Sequence, residues 1–249
     1  MPRPRKRYAN NSDLQTAIIN TAWQQIGEYG ATALSLRAIA RELRITAPAI
    51  YNYYPSRDEL VTALVIEAFS SFAAALEAGC ESATADDHAG RYRALANAYR
   101  NWALGHPQHY MLIFGTPIPD YQFPPEVEST SIRSFVVLLN MIDSAYTAGA
   151  LNVLPGYIHI TPELTGYTRK LEARGLDYPP VVFYLAMETW SKIHGLVSLE
   201  LYGHVPNFLG DAVEDFMAAQ IEGHVRVLGL QSVMEKDTIT PTNTQPDQD

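Results

Sequence analysis

A tyrosine-rich stretch near the amino terminus carries the side chains best suited to binding an anion. It reads ITAPAIYNYYPSRDEL from Ile45 to Leu60, with three tyrosines on an otherwise helix-like segment. The hydroxyls of Tyr51 and Tyr53 and the guanidinium of Arg57 donate hydrogen bonds, and phosphate oxygens accept such bonds strongly. The stretch is too polar for a plain core and too aromatic for a plain solvated face. It therefore predicts a surface that lies against phosphates.

The residues around these tyrosines are small or uncharged, as close approach to the base edges of a nucleic acid requires. These positions are Ala47, Pro48, Ala49 and Asn52. Ser35 and Thr46 stand where two helices are predicted to begin. Their hydroxyls and the unpaired backbone N–H groups of a helix start bind anions such as phosphate. Arg37 adds a positive charge at the flank, so the residue types predict contacts to both phosphates and bases.

Two short helices joined by a tight turn would hold these side chains on one surface. Ala40 is small where two helices must cross closely, and Ile50, ten residues later, is apolar where the next helix must reach the core. Pro55 ends the second short helix, and Ser56 with Glu59 forms a capping box that begins a long helix. This spacing predicts a helix-turn-helix.

The rest of the chain also reads as helices, without strand alternation or an internal repeat. A capping box at Ser12 and Gln15 predicts the first helix, which ends at Gly30. Later helices are predicted over about 126–148, 180–202 and 208–228. The expected fold is all-α, with an N-terminal three-helix helix-turn-helix domain joined by a long helix to a larger helical domain.

The net charge differs between the first 60 residues, here called the head, and the rest of the chain, here called the body. Residues 1–60 hold eight Lys/Arg against five Asp/Glu, a net charge of +3, and the remaining residues carry −12. A basic head predicts contact with a polyanion, although a basic arm is also often just a solvated tail.

Composition limits the compartment and the chemistry. Cys80 is the single cysteine, which excludes an intramolecular disulfide framework and is typical of a reducing cytoplasm. No signal-peptide pattern is present, and no uninterrupted apolar run approaches the roughly 20 residues that span a bilayer. We therefore expect a soluble, cytoplasmic protein.

No feature of the sequence predicts catalysis. A phosphate-binding loop and a dinucleotide fingerprint are both absent, and Cys80 has no flanking base that would mark it as a nucleophile. His106 and His109 are three residues apart, which could place two imidazoles on one helix face. Pro107 lies between them at a helix break, however, and no further ligand is close by in sequence. We expect no metal, no cofactor and no enzyme activity.

The stretch GATALSLRAIARELRITAPAIYNYYPSRDELV, within residues 11–64, resembles the DNA-binding domain of the tetracycline-repressor-like (TetR) family of bacterial transcription regulators. The resemblance places eight residues at DNA-facing positions: Ser35, Arg37, Ala47, Pro48, Ala49, Tyr51, Tyr53 and Arg57. It implies that Tyr51 and Arg57 mostly touch phosphate, while Arg37 and residues 47–49 read bases. One departure is Arg44, which stands where the family motif usually has glycine. It predicts a left-handed residue strained by about 1 kcal/mol.

Two later stretches resemble the WHG-type C-terminal domain of the same family. They are GHPQHYMLIFGTPIPDY and ETWSKIHGLVSLELYG, the second of which includes Trp190, His194 and Gly195. The resemblance implies a homodimer that binds a pseudo-palindromic DNA operator and a small effector. It predicts a helix-turn-helix domain over 11–58, an effector-binding and dimerisation domain over 59–230, and flexible tails at 1–10 and 231–249.

The resulting hypothesis is a repressor released from its operator by a small, mainly apolar effector. An activator is a second reading, which nothing in the sequence separates from a repressor. A third is a helical effector-binding or enzymatic protein whose N-terminal motif no longer binds DNA. The presence of Thr46, Tyr51, Tyr53 and Arg57 argues against this third reading, because a decayed motif would have little reason to keep them.

Aromatic and polar residues along the body predict an effector pocket for an apolar or aromatic molecule. The candidate lining is Trp102, Tyr110, Phe114, Tyr146, Met187, Trp190 and His194. The alternative is that these residues form ordinary core. His194 is the expected polar anchor of a ligand.

The last two predicted helices carry wide apolar stripes that predict a symmetric contact between two copies. The candidate interface is Leu185, Ile193, Leu196, Leu209, Val213, Phe216, Gln220 and His224. The alternative is that both stripes face the core of a single chain.

Overall fold

The computed structural model describes residues 11–172 and 175–230, and over these residues the chain is helical without a strand. The α-helices are α1 Asn11–Tyr29, α2 Leu36–Leu43, α3 Ala47–Tyr51, α4 Arg57–Glu81, α5 His88–Gly105, α6 Pro107–Phe114, α7 Pro125–Thr147, α8 Pro162–Glu172, α9 Pro180–Leu201, α10 His204–Leu209 and α11 Val213–Leu228. Short 3-10 turns occupy Ala31–Ala33 and Gly210–Ala212. The all-α prediction is confirmed. The predicted tails, 1–10 and 231–249, lie outside the described residues.

The chain forms two compact units. Among the described residues, 11–75 group with 101–135, and 76–100 group with 136–172 and 175–230. The first unit contains α1, the short helices α2 and α3, the larger part of α4, and α6. The second contains α8 to α11 and most of α5. The predicted domain boundary at residue 58 stays a prediction.

The first unit is built on side chains that the spacing of apolar residues identified. Leu36, Ile39, Ala40 and Leu43 of α2 are buried, and Ile50 of α3 is fully buried. Burial of a large aliphatic side chain contributes about 1.5–3 kcal/mol, so these residues fix α2 and α3 against the rest of the unit.

Two of the predicted helix caps are confirmed. The Ser35 hydroxyl accepts a hydrogen bond from the Ala38 N–H at 3.4 Å, and the Ser56 hydroxyl accepts one from the Glu59 N–H at 3.1 Å. Each satisfies a backbone donor that a helix start leaves unpaired. These caps fix where α2 and α4 begin.

Two other predicted caps are wrong. Thr46 occupies the N-cap position of α3, but its side chain makes no capping hydrogen bond. The second helical residue is Pro48, which has no N–H, and the Ala49 N–H bonds to the Thr46 carbonyl instead. Ser12 lies inside α1, which already includes Asn11.

Arg44 adopts the predicted left-handed conformation, with φ 57° and ψ 36°. Its N–H donates to the Arg41 carbonyl at 3.2 Å, and the next N–H, of Ile45, reaches the Ala40 carbonyl at 3.0 Å. The turn between α2 and α3 therefore satisfies the last carbonyls of α2, at the cost of a strained arginine.

We expect Arg44→Gly to raise the free energy of unfolding by up to about 1 kcal/mol, because glycine adopts this conformation without strain. Urea unfolding followed by tryptophan fluorescence measures the change. Arg41→Gly is the matched control, since it removes the same side chain from within α2 and should destabilise by about 1 kcal/mol. Equal losses for both variants would contradict the strain argument.

In the second unit, the helix predicted over 180–202 is confirmed as α9, but the helix predicted over 208–228 is interrupted. The chain instead forms α10, a turn at Gly210 and then α11 from Val213. Gly210 has φ 51° and ψ −125°, which side-chain-bearing residues rarely adopt, so the helix cannot continue through it. Phe208 and Leu209 therefore lie on α10 and not on the last helix.

Helix α4 is the one helix within the described ranges whose length and composition would allow it to cross a membrane. Half of its apolar window is buried inside the chain, as in the core helix of a folded protein.

Candidate nucleic-acid interface

The helix-turn-helix exposes most of the predicted DNA-contacting residues on its surface. The exposed residues are Arg37, Thr46, Ala47, Pro48, Tyr51 and Asn52. The half-buried ones are Ser35, Ala49, Tyr53 and Arg57. The buried face of α2 and the buried Ile50 of α3 fix this orientation. Ala47 and Pro48, the exposed residues at the start of α3, are small, so the backbone there can approach a ligand closely.

The electrostatics of this surface favour an anion. Arg37, Arg41 and Arg44 are all exposed within eight positions, and Glu42 is the single acidic residue between 35 and 57. Arg41 was not among the predicted contacts. Its position one helical turn after Arg37 was the signal that could have found it.

The three tyrosines of the opening stretch separate into different environments. Tyr51 is 38% exposed and Tyr53 is half-buried, whereas Tyr54 is 6% exposed. The Tyr54 hydroxyl accepts a hydrogen bond from the Gln15 amide at 3.5 Å, so this tyrosine ties α1 to the end of α3. Tyr51 and Tyr53 are the two whose side chains are not buried in the core.

Arg57 is held by its own chain. One guanidinium nitrogen donates to the Ala31 carbonyl at 3.2 Å, and another lies 3.7 Å from the Asp58 carboxylate. Arg57 thereby anchors the 3-10 turn that precedes α2, and its contact with phosphate stays a prediction. An alanine at this position would loosen the turn as well as remove a charge.

The predicted effector-binding residues are divided between the two units. In the first unit, Trp102 and Tyr110 are buried, and Phe72 packs on Trp102 and Phe114 with ring centroids 4.8 and 5.6 Å away. The Trp102 N–H donates to the Ser71 hydroxyl at 3.0 Å. This group is packed as core is packed.

In the second unit, Met187, Trp190 and His194 are half-buried on α9, whereas Tyr146 is 45% exposed. The His194 Nδ1 lies 2.8 Å from the Tyr99 hydroxyl, and its ring centroid is 5.4 Å from that of Trp190. Burial lowers the pKa of His194, so the ring is neutral at neutral pH. A neutral imidazole suits the anchoring role predicted for it, which stays a prediction.

The predicted interface residues divide by burial. Leu185, Ile193 and His224 are each less than 5% exposed within the single chain. Leu196, Val213, Phe216 and Gln220 are half-buried, and Leu209 is 37% exposed. The first three pack inside the chain, so a contact between copies would involve the others.

A partly buried polar network in the second unit was not predicted. His224 contacts the Tyr92 hydroxyl through Nδ1 and lies 2.5 Å from a Glu188 oxygen through Nε2. The other Glu188 oxygen accepts a hydrogen bond from the Tyr157 hydroxyl at 2.5 Å. Burial would raise the pKa of Glu188, but the hydrogen bonds from His224 and Tyr157 outweigh it and hold this pKa below its ordinary value.

Helix α5 repeats the same tyrosine–arginine pair one heptad apart. Tyr92 and Tyr99 each contact a histidine. The neighbouring Arg93 binds Glu222, and Arg100 binds Glu200 and Glu214 with four hydrogen bonds of 2.7 to 3.0 Å. This seven-residue repeat was the sequence signal for a polar face on α5.

His106 and His109 do come together, in an aromatic cluster of the first unit. Their ring centroids are 5.4 Å apart, and His109 stacks on Trp23 at 3.7 Å. Among the described residues, no group of three histidine, cysteine or acidic side chains could hold a metal ion. Burial, with a smaller contribution from His106, lowers the pKa of His109 to about 4.

We expect His109 to make the fold sensitive to acid. Because its pKa is lowered in the folded state, the neutral ring stabilises the fold fully above pH 6.5, and this stability is lost as the pH falls towards 4. The expected loss is about 1–2 kcal/mol after allowance for partial exposure. Urea unfolding of the wild type and of His109→Gln at pH 7 and pH 4.5 measures it. A difference between the two proteins that does not change with pH would contradict this expectation.

Comparison with known proteins agrees with this arrangement. Residues 18–64 match the family described as bacterial regulatory proteins, tetR family, and residues 92–224 match the tetracyclin repressor-like C-terminal domain. The chain belongs to the TetR family. It is a DNA-binding transcriptional regulator.

Individual relatives cover nearly the whole chain. The HTH-type transcriptional regulator Rv1816 of Mycobacterium tuberculosis is 28% identical over 88% of this chain and 97% of its own length. The crystal structure of the regulatory protein SCO4313 is 31% identical, with a TM-score of 0.67 over 85% of this chain and 95% of its own. A TetR-family regulatory protein from Rhodococcus RHA1 shares the fold at 18% identity, with a TM-score of 0.57 over 87% and 97% of the two chains.

Proposed function

We propose that the protein is a cytoplasmic homodimeric repressor that a small, mainly apolar effector releases from a pseudo-palindromic operator. The observation that carries the proposal is the exposed start of α3, where Ala47 and Pro48 follow three exposed arginines of α2 and the turn. Small side chains allow α3 to enter a major groove, and the arginines lie where they can meet phosphates and bases at its edges.

The dimer is supported by apolar side chains left in solvent on α9 and α10. Leu199 and Tyr202 are each 46% exposed, Phe208 is 89% exposed and Leu209 is 37% exposed. Clustered apolar exposure of this kind is typical of a contact surface. The half-buried Leu196, Val213, Phe216 and Gln220 extend the same candidate interface.

Release by an effector requires that the effector and DNA favour different conformations. The coupling is reciprocal, so DNA must weaken effector binding by the same factor. A coupling of about 2–3 kcal/mol lowers operator affinity roughly 30- to 150-fold, which is enough for a switch. Helix α4 leads directly from the helix-turn-helix and continues to Glu81, and it is the element that we propose carries this coupling.

Selection of duplexes from a random pool should enrich an inverted repeat whose half-sites lie about one helical turn apart, or a multiple of that distance. Tyr51→Phe should weaken binding to all duplexes alike, because it removes a hydroxyl that meets phosphate. Arg37→Ala should relax the preference at one base pair. Binding of both variants to the selected duplex and to its single-base variants, measured by fluorescence anisotropy at fixed salt, separates these effects.

Light scattering at micromolar concentration supplies the matching test of assembly. A selection without an enriched inverted repeat, or a wild-type protein that is monomeric at that concentration, would contradict the proposed dimeric repressor.

A further inference from the structure

The segment between α7 and α8 contains a run of residues that are half-buried or exposed. None of the residues from 151 to 157, here called the strap, is buried. Two backbone hydrogen bonds hold it to the end of α11, from the Asn152 N–H to the Leu228 carbonyl at 3.1 Å and from the Leu154 N–H to the Val227 carbonyl at 3.2 Å. A segment with no buried residue of its own opens locally at lower free energy than the packed helices beside it.

Tyr157 is the strap residue that reaches the polar network. Its hydroxyl donates to Glu188 on α9 at 2.5 Å. The groups behind Glu188 belong to packed helices, because His224 of α11 and Tyr92 of α5 are each 1% exposed. The acceptor of this hydrogen bond is therefore held by packed helices, whereas its donor belongs to a segment without a buried residue.

Glu188 is suited to accept a hydrogen bond from a neutral hydroxyl. It is ionised at neutral pH, because the hydrogen bonds that it accepts lower its pKa against the effect of burial. A hydrogen bond to a charged acceptor is stronger than one between neutral groups. The Tyr157 phenol shows which chemical group fits this position.

We propose that Tyr157 is the internal occupant of a phenol-binding subsite on Glu188, and that a phenolic ligand binds there by displacing the strap. This phenolic ligand would be the effector of the proposed repressor. The regulatory part of the proposal therefore rests on the proposed function. The ligand presents an aromatic ring to the space that the Tyr157 ring leaves, and its hydroxyl donates to Glu188. His224 keeps the other carboxylate oxygen in place.

The probe for this subsite is phenol, which replaces the side chain that Tyr157→Ala removes. Thermal unfolding of Tyr157→Ala should show a saturable rise of the midpoint, about 3–6 °C at ten times the dissociation constant. Toluene fills a similar space but donates no hydrogen bond, so it should bind at least about tenfold more weakly. The double variant Tyr157→Ala/Glu188→Gln should lose most of the phenol effect.

Tyr178→Ala is the matched control for loss of a tyrosine in the same unit. The Tyr178 hydroxyl donates to Asn140 at 2.6 Å, and its ring is half-buried like that of Tyr157. Phenol should not raise the midpoint of this variant. An equal rise in both alanine variants, or none in Tyr157→Ala, would overturn the proposal.

Tyr157→Phe keeps the test decisive if the alanine variant fails to fold. Loss of the hydroxyl alone should speed hydrogen exchange at the Asn152 and Leu154 amides about tenfold, since the strap loses its bond to a charged acceptor. Unchanged exchange at both amides would overturn the proposal. These measurements need no DNA, so a failed subsite leaves operator binding intact, and a failed operator test leaves phenol binding measurable.

Discussion

Ala47→Asp is expected to reduce operator affinity at least about 100-fold while stabilising the fold slightly. Ala47 is exposed and is the first residue of α3. A carboxylate there would lie among DNA phosphates, and like charges brought together at an interface cost several kcal/mol. The same carboxylate sits at a helix N-terminus, where a negative charge stabilises the helix by about 0.3–1 kcal/mol. Binding and stability are therefore expected to change in opposite directions.

Ala74→Asp is the control for the change in net charge. Ala74 is exposed on α4, and the substitution adds the same charge away from α3. Anisotropy titrations with the selected duplex and urea unfolding of both variants measure the two quantities. Similar losses of affinity for Ala47→Asp and Ala74→Asp would mean that the α3 surface does not meet DNA.

Arg100→Leu is expected to lower the free energy of unfolding by about 3 kcal/mol or more. The Arg100 side chain is 11% exposed and binds Glu200, itself 7% exposed, through two hydrogen bonds of 2.7 Å. Removing one partner of a buried pair leaves the other charge desolvated and unpaired, which costs more than the pair contributes. Glu214 is largely exposed and is rehydrated without a comparable cost.

Two further variants make this expectation specific. Arg100→Leu/Glu200→Leu should recover most of the loss, because apolar residues in place of a buried pair are often tolerated. Arg93→Leu removes the equivalent arginine one heptad earlier. Its pair with Glu222 is about 40% exposed on both sides, so the loss should stay below about 1 kcal/mol. Equal losses for Arg93→Leu and Arg100→Leu in urea unfolding would contradict the role of burial.

Some of the helix ends could be predicted from the sequence, and others could not. Gly30 ends α1 and Pro107 begins α6 as expected, because both residue types limit helices wherever they occur. Gly210 was missed, since the apolar pattern continues on both sides of it. An isolated glycine is tolerated inside many helices, so its sequence position alone does not decide whether the helix ends there.

The DNA-facing surface was predicted in part from the sequence, and the rest required the structure. The motif placed Tyr51 and Tyr53 at the surface and Ile50 in the core, which the structure agrees with. It could not show that Arg57 is tied to the Ala31 carbonyl, because that contact joins residues 26 positions apart on different elements. The residues next to Arg57 in the sequence are the same whether it contacts phosphate or anchors the turn at Ala31.

The sequence by itself determined the all-α class, the helix-turn-helix, the Ser35 cap and the left-handed Arg44. Each of these depends on residues within a few positions of one another, where backbone geometry and helical periodicity act directly. Only the tertiary structure placed His224 beside Tyr92 and Glu188, residues that are 132 and 36 positions away from it. The apolar stripes show that the helices pack against one another, but several pairings of helices would bury similar apolar area. The choice among them depends on side-chain packing and on pairing every buried polar group, which only the folded chain shows.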